Sequence, residues 1–329
     1  MILSRRAPRS PFRGLPVIKT NLFTATALAS LLLALSPAEA AGGAARAWVS
    51  GHGTDAAGCG SPTSPCRTFQ YVHDNIIAAG GEIDVLDPAG YGAVTITKAV
   101  SIVNDGVGVA GVQQTASGQN AITINLATVS NVTLRGLTIE GGGTGADGIS
   151  VISNLPNQGG VAVINILNCL IKDFAGAGVS IAPTLAGVGA VPTQNVVIAD
   201  SSILDNASSG VAIAALELNV NPEIYRTRVT GNANGVNFSG GCCLAPLIVG
   251  AVISQNQGVG ISNSSGYLTL KASTVMRNGS TDIVNGLEIW LFDHNTIGGV
   301  QNNTSFGYTD GSNNIFTVGG NALTQLNPQ

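Results

Sequence analysis

A short pattern of glycine, aliphatic, small or polar residue and hydrophobic closer recurs along the chain. It stands at Gly148-Ile149-Ser150-Val151, Gly178-Val179-Ser180-Ile181, Gly210-Val211-Ala212-Ile213 and Gly235-Val236-Asn237-Phe238, and again, less strictly, at Gly260-Ile261-Ser262-Asn263 and Gly286-Leu287-Glu288-Ile289. Ile83 and Ile122 carry the same strand type. The first aliphatics lie 25 to 39 residues apart. Recurrence at this spacing predicts a solenoid, here of about eight coils. Each coil holds two more short apolar runs, such as Val132–Leu134 then Leu137–Ile139, and Val196–Ile198 then Ser202–Ile203. No helical period runs through the repeats. Three strands per turn, each apolar on one face, predict an all-β chain. The expected architecture is a right-handed parallel β-helix of three sheets around a stack of aliphatics.

Aligned coils predict columns. Three residues after Ile203, Val229, Ile253 and Val275 stand Asn206, Asn232, Asn256 and Asn278. Asparagine tolerates the left-handed region, and its amide can bond to the amide one coil above, so this column reads as a structural asparagine ladder or turn. The glycine before each first strand reads as a turn residue at positive φ. Cys169, Ser201, Thr227, Ala251, Ser273 and Asn295 form a column of small residues, in which Cys169 is a buried filler rather than a nucleophile.

The ends differ from the coils. Residues 1–40 read as a signal peptide. Arg5, Arg6, Arg9, Arg13 and Lys19 precede an apolar run from Leu22 to Leu35, and Ala38-Glu39-Ala40 forms a small-residue cleavage site. The run is short for a membrane span, so no membrane insertion is expected after cleavage. Residues 41–82 read as an N-terminal cap, with helix-like spacing over Thr68–Ala79 ending at Gly80-Gly81. Residues 83–298 are the expected β-helix, and the Asn/Gly-rich stretch 299–329 an expected C-terminal cap over the open last coil.

Cleavage after Ala40 removes five basic residues and Glu39, leaving 9 Lys+Arg against 17 Asp+Glu. That acidic balance argues against nucleic acid as a partner. With 44 glycines and only 10% charged residues, the composition fits short buried strands and tight turns. Five cysteines all follow Ala40. Cys59 and Cys66 bracket a short turn-rich loop and read as a disulfide, which suits a secreted or periplasmic location. Cys242-Cys243 reads either as a vicinal disulfide or as half of a longer bridge. His52, His73 and His294 are scattered, and no Cys/His spacing suggests a metal site.

Pro65-Cys66-Arg67-Thr68-Phe69, Gly80-Gly81-Glu82-Ile83-Asp84-Val85-Leu86-Asp87, Tyr91-Gly92 and Val94-Thr95-Ile96-Thr97-Lys98 together resemble the N-terminal segment of bacterial right-handed β-helix repeat proteins of the pectate-lyase-like superfamily. The resemblance implies that fold, export, and association with polysaccharide or cell-surface glycan. Its members include lyases, hydrolases, epimerases and adhesins, so the fold alone does not set the activity.

Catalysis on such a scaffold needs outward carboxylates, often holding Ca²⁺, and a Lys or Arg. The outward column beside the first aliphatics reads Ser150, Ser180, Ala212, Asn237, Ser262 and Glu288, with one carboxylate and no base. Asp173 and Asp205, at equivalent positions of adjacent coils, read either as a pair that binds a cation or shares a proton, or as solvated turn residues. Asp200 with Arg226, and Glu140 with Lys172, read as surface ion pairs. Tyr225, Arg226 and Arg228 could hold a sugar or a carboxylate.

The preferred expectation is therefore an exported β-helix that binds polysaccharide without turning it over, with no cofactor. One alternative is a polysaccharide lyase, hydrolase or epimerase with loop-borne catalytic residues, its candidates being Asp173, Asp205, Arg226 and Arg228, with Ca²⁺ entering only in the case of a lyase. The other is a structural or adhesive envelope protein.

Overall fold

The computed structural model describes residues 43–215, 217–240 and 244–326. The expected signal peptide and the Cys242-Cys243 pair lie outside them. No helix among the described residues is long and apolar enough to cross a membrane.

The chain winds as a right-handed parallel β-helix. Its second sheet begins at Ala44–Val49, ends at Thr324–Gln325 and stacks twelve strands, one per rung. The count exceeds eight because the terminal coils lack the glycine motif. The first and third sheets stack beside it. They merge only at the C-terminal end, where Thr296–Asn302 and Asn314–Gly320 run through the corner between them. In the stretch 299–329, expected as a cap, the described residues to 326 instead continue the rungs through Phe306–Thr309, Asn314–Gly320 and Thr324–Gln325.

Inward aliphatics of the first sheet pair coil on coil. Val94, Ile122, Ile149, Val179, Val211, Val236, Ile261, Ile283 and Val300 form one buried column. Two expected members change place. Ile83 pairs within the second sheet, and the late first-sheet rung is Ile283–Asn285, not the stretch from Gly286 to Ile289.

Two corners of each middle coil turn on a residue in the left-handed region. Between second and third strands these are Gly136, Asn168, Asp200, Arg226, Gly250, Ala272 and His294. Between third and first strands they are Asp173, Asp205, Gly231, Gln255 and Arg277, each one residue before the ladder column. The ladder asparagines are therefore not the left-handed residues. Their amides run across coils: Asn206 Nδ2 donates to Asn232 Oδ1 (2.8 Å), Asn232 Nδ2 to Asn256 Oδ1 (3.1 Å) and Asn256 Nδ2 to Asn278 Oδ1 (2.9 Å). Asp282 Oδ1 ends the series by accepting from Asn278 Nδ2 at 2.8 Å. Phe174 occupies the column one coil earlier, and its N–H donates to Asn206 Oδ1.

The motif glycines are explained by the approach of the next coil and not by backbone angle. Gly178, Gly210, Gly235 and Gly260 are not at positive φ. A Cβ on Gly210 would stand 2.4 Å from Val229 Cγ1 and 2.8 Å from Asn232 Nδ2. One on Gly260 would stand 2.5 Å from Asn278 Nδ2. Each glycine makes room for the next coil, whose aliphatic side chain, backbone carbonyl or ladder amide would meet a Cβ.

At the N-terminal end a helix, Phe69–Asn75, packs on the strands Ala44–Val49, Ile77–Val85 and Val94–Ile96. It is shorter than the expected Thr68–Ala79, because Ile77 already enters a second-sheet strand. Thr68 caps it, accepting from Tyr71 N–H, while Phe69 and Val72 bury against the core. His73 Nε2 accepts the Thr97 N–H at 3.2 Å, tying the helix to the coil. Cys59 and Cys66 form a disulfide.

Candidate binding face

The residues expected to carry chemistry do not converge. Asp173 and Asp205 both sit at positive-φ corners. Asp173 is paired with Lys172 (3.2 Å), which also holds Glu140 (2.9 Å). Asp205 Oδ1 lies over the next corner, 1.9 Å from where a Gly231 Cβ would be. Arg226 is a corner residue whose Nε and Nη2 each donate to Asp200 at 2.7 Å, so one edge of its guanidinium is occupied. Buried Thr227 separates the ends of two sheets: Tyr225 closes a second-sheet strand and exposed Arg228 opens a third-sheet strand. Cys169 is buried, its thiol pushed up to about 11 by burial, which suits a filler and not a nucleophile.

The outward column of the first sheet contains no carboxylate. In register it runs Thr95, Thr123, Ser150, Ser180, Ala212, Asn237, Ser262, Val284 and Gln301. Glu288, expected in that column, belongs to the second sheet. Among the described residues no group of three or more His, Cys, Asp or Glu side chains could hold a metal ion.

The outer face of the second sheet is different. Alternation along a strand sends every second side chain outward. Asn219–Tyr225 thus presents Glu223 and Tyr225, and Leu247–Val249 presents Leu247 and Val249. Tyr267–Lys271 presents Tyr267, Thr269 and Lys271, and Glu288–Phe292 presents Glu288, Trp290 and Phe292. Phe306–Thr309 adds Phe306 and Tyr308. Parallel register aligns these into columns. Glu223, Leu247, Thr269, Trp290 and Tyr308 form one; Tyr225, Val249, Lys271 and Phe292 another; Tyr267, Glu288 and Phe306 a third. Five rungs at the usual strand spacing span about 19 Å.

Aromatic rings dominate this strip. Trp290 lies 4.5 Å from Tyr308 and 5.9 Å from Phe292 between ring centroids. Tyr267 is 57% exposed and Phe306 53% exposed. Two carboxylates hold the polar tips: Tyr225 Oη donates to Glu223 Oε2 at 2.9 Å, and Trp290 Nε1 donates to Glu288 Oε1. Partial burial, followed by the Glu223 carboxylate, raises the Tyr225 hydroxyl above its ordinary value. Lys271 reaches Asp293 (3.2 Å) and lies 5.9 Å from the centre of the Phe292 ring. Sequence reasoning found Tyr225 but missed the rest of the strip. Its signal was present: the alternation of Leu268 and Leu270 with Tyr267, Thr269 and Lys271 puts the latter three outward.

The N-terminal rungs of the same face carry Trp48, Arg46, Glu82 and Asp84. Arg46 pairs with Glu82 and Asp84. Burial, and then the Glu82 charge, raises the Asp84 carboxyl. A groove of 430 Å³ lined by Gly80, Val100, Ser101, Asn131, Thr133 and Val161 lies alongside, its Ser101 in register with Glu82.

No family model matches the sequence, and no curated protein matches it. Among solved structures the fold is similar to that of the pectate lyase Pel9A, at 12% identity and a TM-score of 0.54, covering 86% of this chain and 79% of that one. A lacto-N-biosidase of family GH136 from Eubacterium ramulus is aligned at 11% identity and a TM-score of 0.44, over 85% of this chain and 67% of that one.

Proposed function

We propose that this chain, a parallel β-helix of pectate-lyase-like fold, is an exported protein that binds polysaccharide without cleaving it. The observation that carries the proposal is the aromatic strip on the outer face of the second sheet. Tyr and Trp combine a flat apolar ring with a polar tip, which suits the C–H faces and hydroxyls of a sugar chain. A contiguous exposed apolar patch rimmed by polar groups is a common mark of a binding surface. The first-sheet outer face, bare of carboxylates, offers no acid or base to go with it. Export rests on the basic and apolar pattern of residues 1–40, and the Cys59–Cys66 disulfide is compatible with it.

A glycan array probed with the mature chain tests the proposal. Wild-type protein is expected to bind at least one polysaccharide class, and the double variant Tyr267→Ala/Phe306→Ala to lose most of that signal. An array blank for all sugars, or binding indifferent to both substitutions, contradicts it. The blank result favours the structural or adhesive reading.

A second reading is enzymatic. It is favoured by the groove beside Glu82 and Asp84, where a carboxyl raised by burial stands next to a second carboxylate and Arg46. Release of reducing ends, or of unsaturated uronate absorbance, that disappears in Asp84→Asn would establish turnover and overturn the non-catalytic proposal.

A further inference from the structure

We propose that the strip on the second sheet takes an uncharged polysaccharide and rejects polyuronates; this rests on the binding function proposed above. The argument is one of charge on a defined surface. Over the five rungs from Asn219–Tyr225 to Phe306–Thr309, the outward charged side chains are Glu223, Lys271 and Glu288. Lys271, the one cation, is taken by Asp293 at 3.2 Å. Neither Glu223 nor Glu288 has a Lys or Arg within ion-pair distance among the described residues. The strip is therefore net negative with no free cation.

A polyuronate carries a carboxylate on every sugar and is recognised by Arg or Lys, best by a bidentate arginine fork. Arg226, at the corner beyond the strip's edge, spends its Nε–Nη2 edge on Asp200 at 2.7 Å. A polyuronate laid along the strip would meet Glu223 and Glu288 as like charges, an arrangement that suppresses wrong partners. An uncharged chain meets no such penalty. Its ring faces can stack on Trp290, Tyr308, Tyr267 and Phe306, and its hydroxyls can donate to the two carboxylates. Each carboxylate uses one oxygen to hold an aromatic tip in place, Tyr225 by Glu223 and Trp290 by Glu288, and keeps the other for a ligand. The same two side chains thus fix the platform and set its charge preference.

Calorimetric titration of the mature chain tests this, with hydroxyethyl cellulose, xylan and galactomannan as neutral probes, polygalacturonate as the anionic probe and glycol chitosan as the cationic one. At least one neutral probe is expected to bind, with affinity changing less than about twofold between low and high salt. Polygalacturonate is expected not to bind. Trp290→Ala should weaken the neutral probe on the order of tenfold or more. Glu223→Gln/Glu288→Gln, whose amide oxygens still accept from Tyr225 and Trp290, should admit polygalacturonate at low salt, while neutral binding weakens through the two carboxylate acceptors lost to the ligand. Polygalacturonate binding that is lost in Trp290→Ala overturns the charge preference while leaving the binding function standing. Salt-sensitive glycol chitosan binding tighter than every neutral probe does the same. Absence of binding to all five overturns both.

Discussion

Asn232 lies at the centre of a cross-coil chain, accepting from Asn206 and donating to Asn256 and to the Ile203 carbonyl (3.1 Å). Asn232→Ala would leave the Asn206 amide without its acceptor in a buried site, which should cost about 2–3 kcal/mol by denaturant unfolding. A loss under about 0.5 kcal/mol would mean that the ladder amides are bonded elsewhere. Ala272 is exposed at φ +47°, a conformation costly for any residue with a Cβ. Ala272→Gly should therefore stabilise the chain by about 0.5–1 kcal/mol, net of the entropy glycine adds to the unfolded state; a destabilisation would contradict the assignment. Asp87 accepts from the Ser50 hydroxyl (2.6 Å), the Gly51 N–H (2.6 Å) and Tyr91 Oη (2.8 Å), and these bonds hold its carboxyl below the ordinary range. A lowered carboxylate contributes stability that is complete above the ordinary value and fades as pH falls through the lowered one. Asp87→Asn should cost on the order of 2 kcal/mol near neutral pH and progressively less in acid. An equal loss in urea melts at both pH values would show that the charge is not involved.

At the scale of strands and caps, the glycine motif and the asparagine ladder are coupled, since both answer to how closely the next coil approaches. Glycine is required before a first strand wherever the next coil brings an asparagine amide against it, as Asn232 does to Gly210 and Asn278 to Gly260. Where the ladder ends, the requirement ends: the residue before Ile283 is Asp282, which caps the last amide. This is why the middle coils are legible from composition and spacing while the late ones are not. Gly286-Leu287-Glu288-Ile289 imitates the motif without the contact that gives it meaning, and reading it as a first strand displaced Glu288 and hid Trp290. The corner residues misled in a related way. Asp173, Asp205 and Arg226 align as charged columns, but backbone conformation and local pairing explain where they stand. The N-terminal cap was legible through Thr68, Phe69 and Val72, and the disulfide through its turn-rich loop. Replacing both Cys59 and Cys66 by Ser should cost about 2–3 kcal/mol by the loop-closure relation, read as a lowered thermal midpoint; an unchanged midpoint would leave the bridge without a stabilising role.

Across the whole molecule, parallel stacking turns a one-dimensional alternation into a two-dimensional surface. A single outward aromatic on one strand is unremarkable; the same position on neighbouring rungs builds a platform, because each rung adds its side chain about 4.8 Å from the last. Both tryptophans of the chain, Trp48 and Trp290, stand on the outer face of the second sheet at opposite ends of it. Trp48 is in register with Asp84, the partner of Arg46; Trp290 anchors the strip. Their separation lets fluorescence report which end a ligand occupies. In Trp48→Phe the emission comes from Trp290 alone, and in Trp290→Phe from Trp48 alone. Titrating both variants with the polysaccharide that binds the wild type is the most direct test of the binding face. A saturable change in intensity or wavelength in Trp48→Phe, absent from Trp290→Phe, is the expected result. A change confined to Trp290→Phe would place the ligand at the N-terminal rungs and contradict the account.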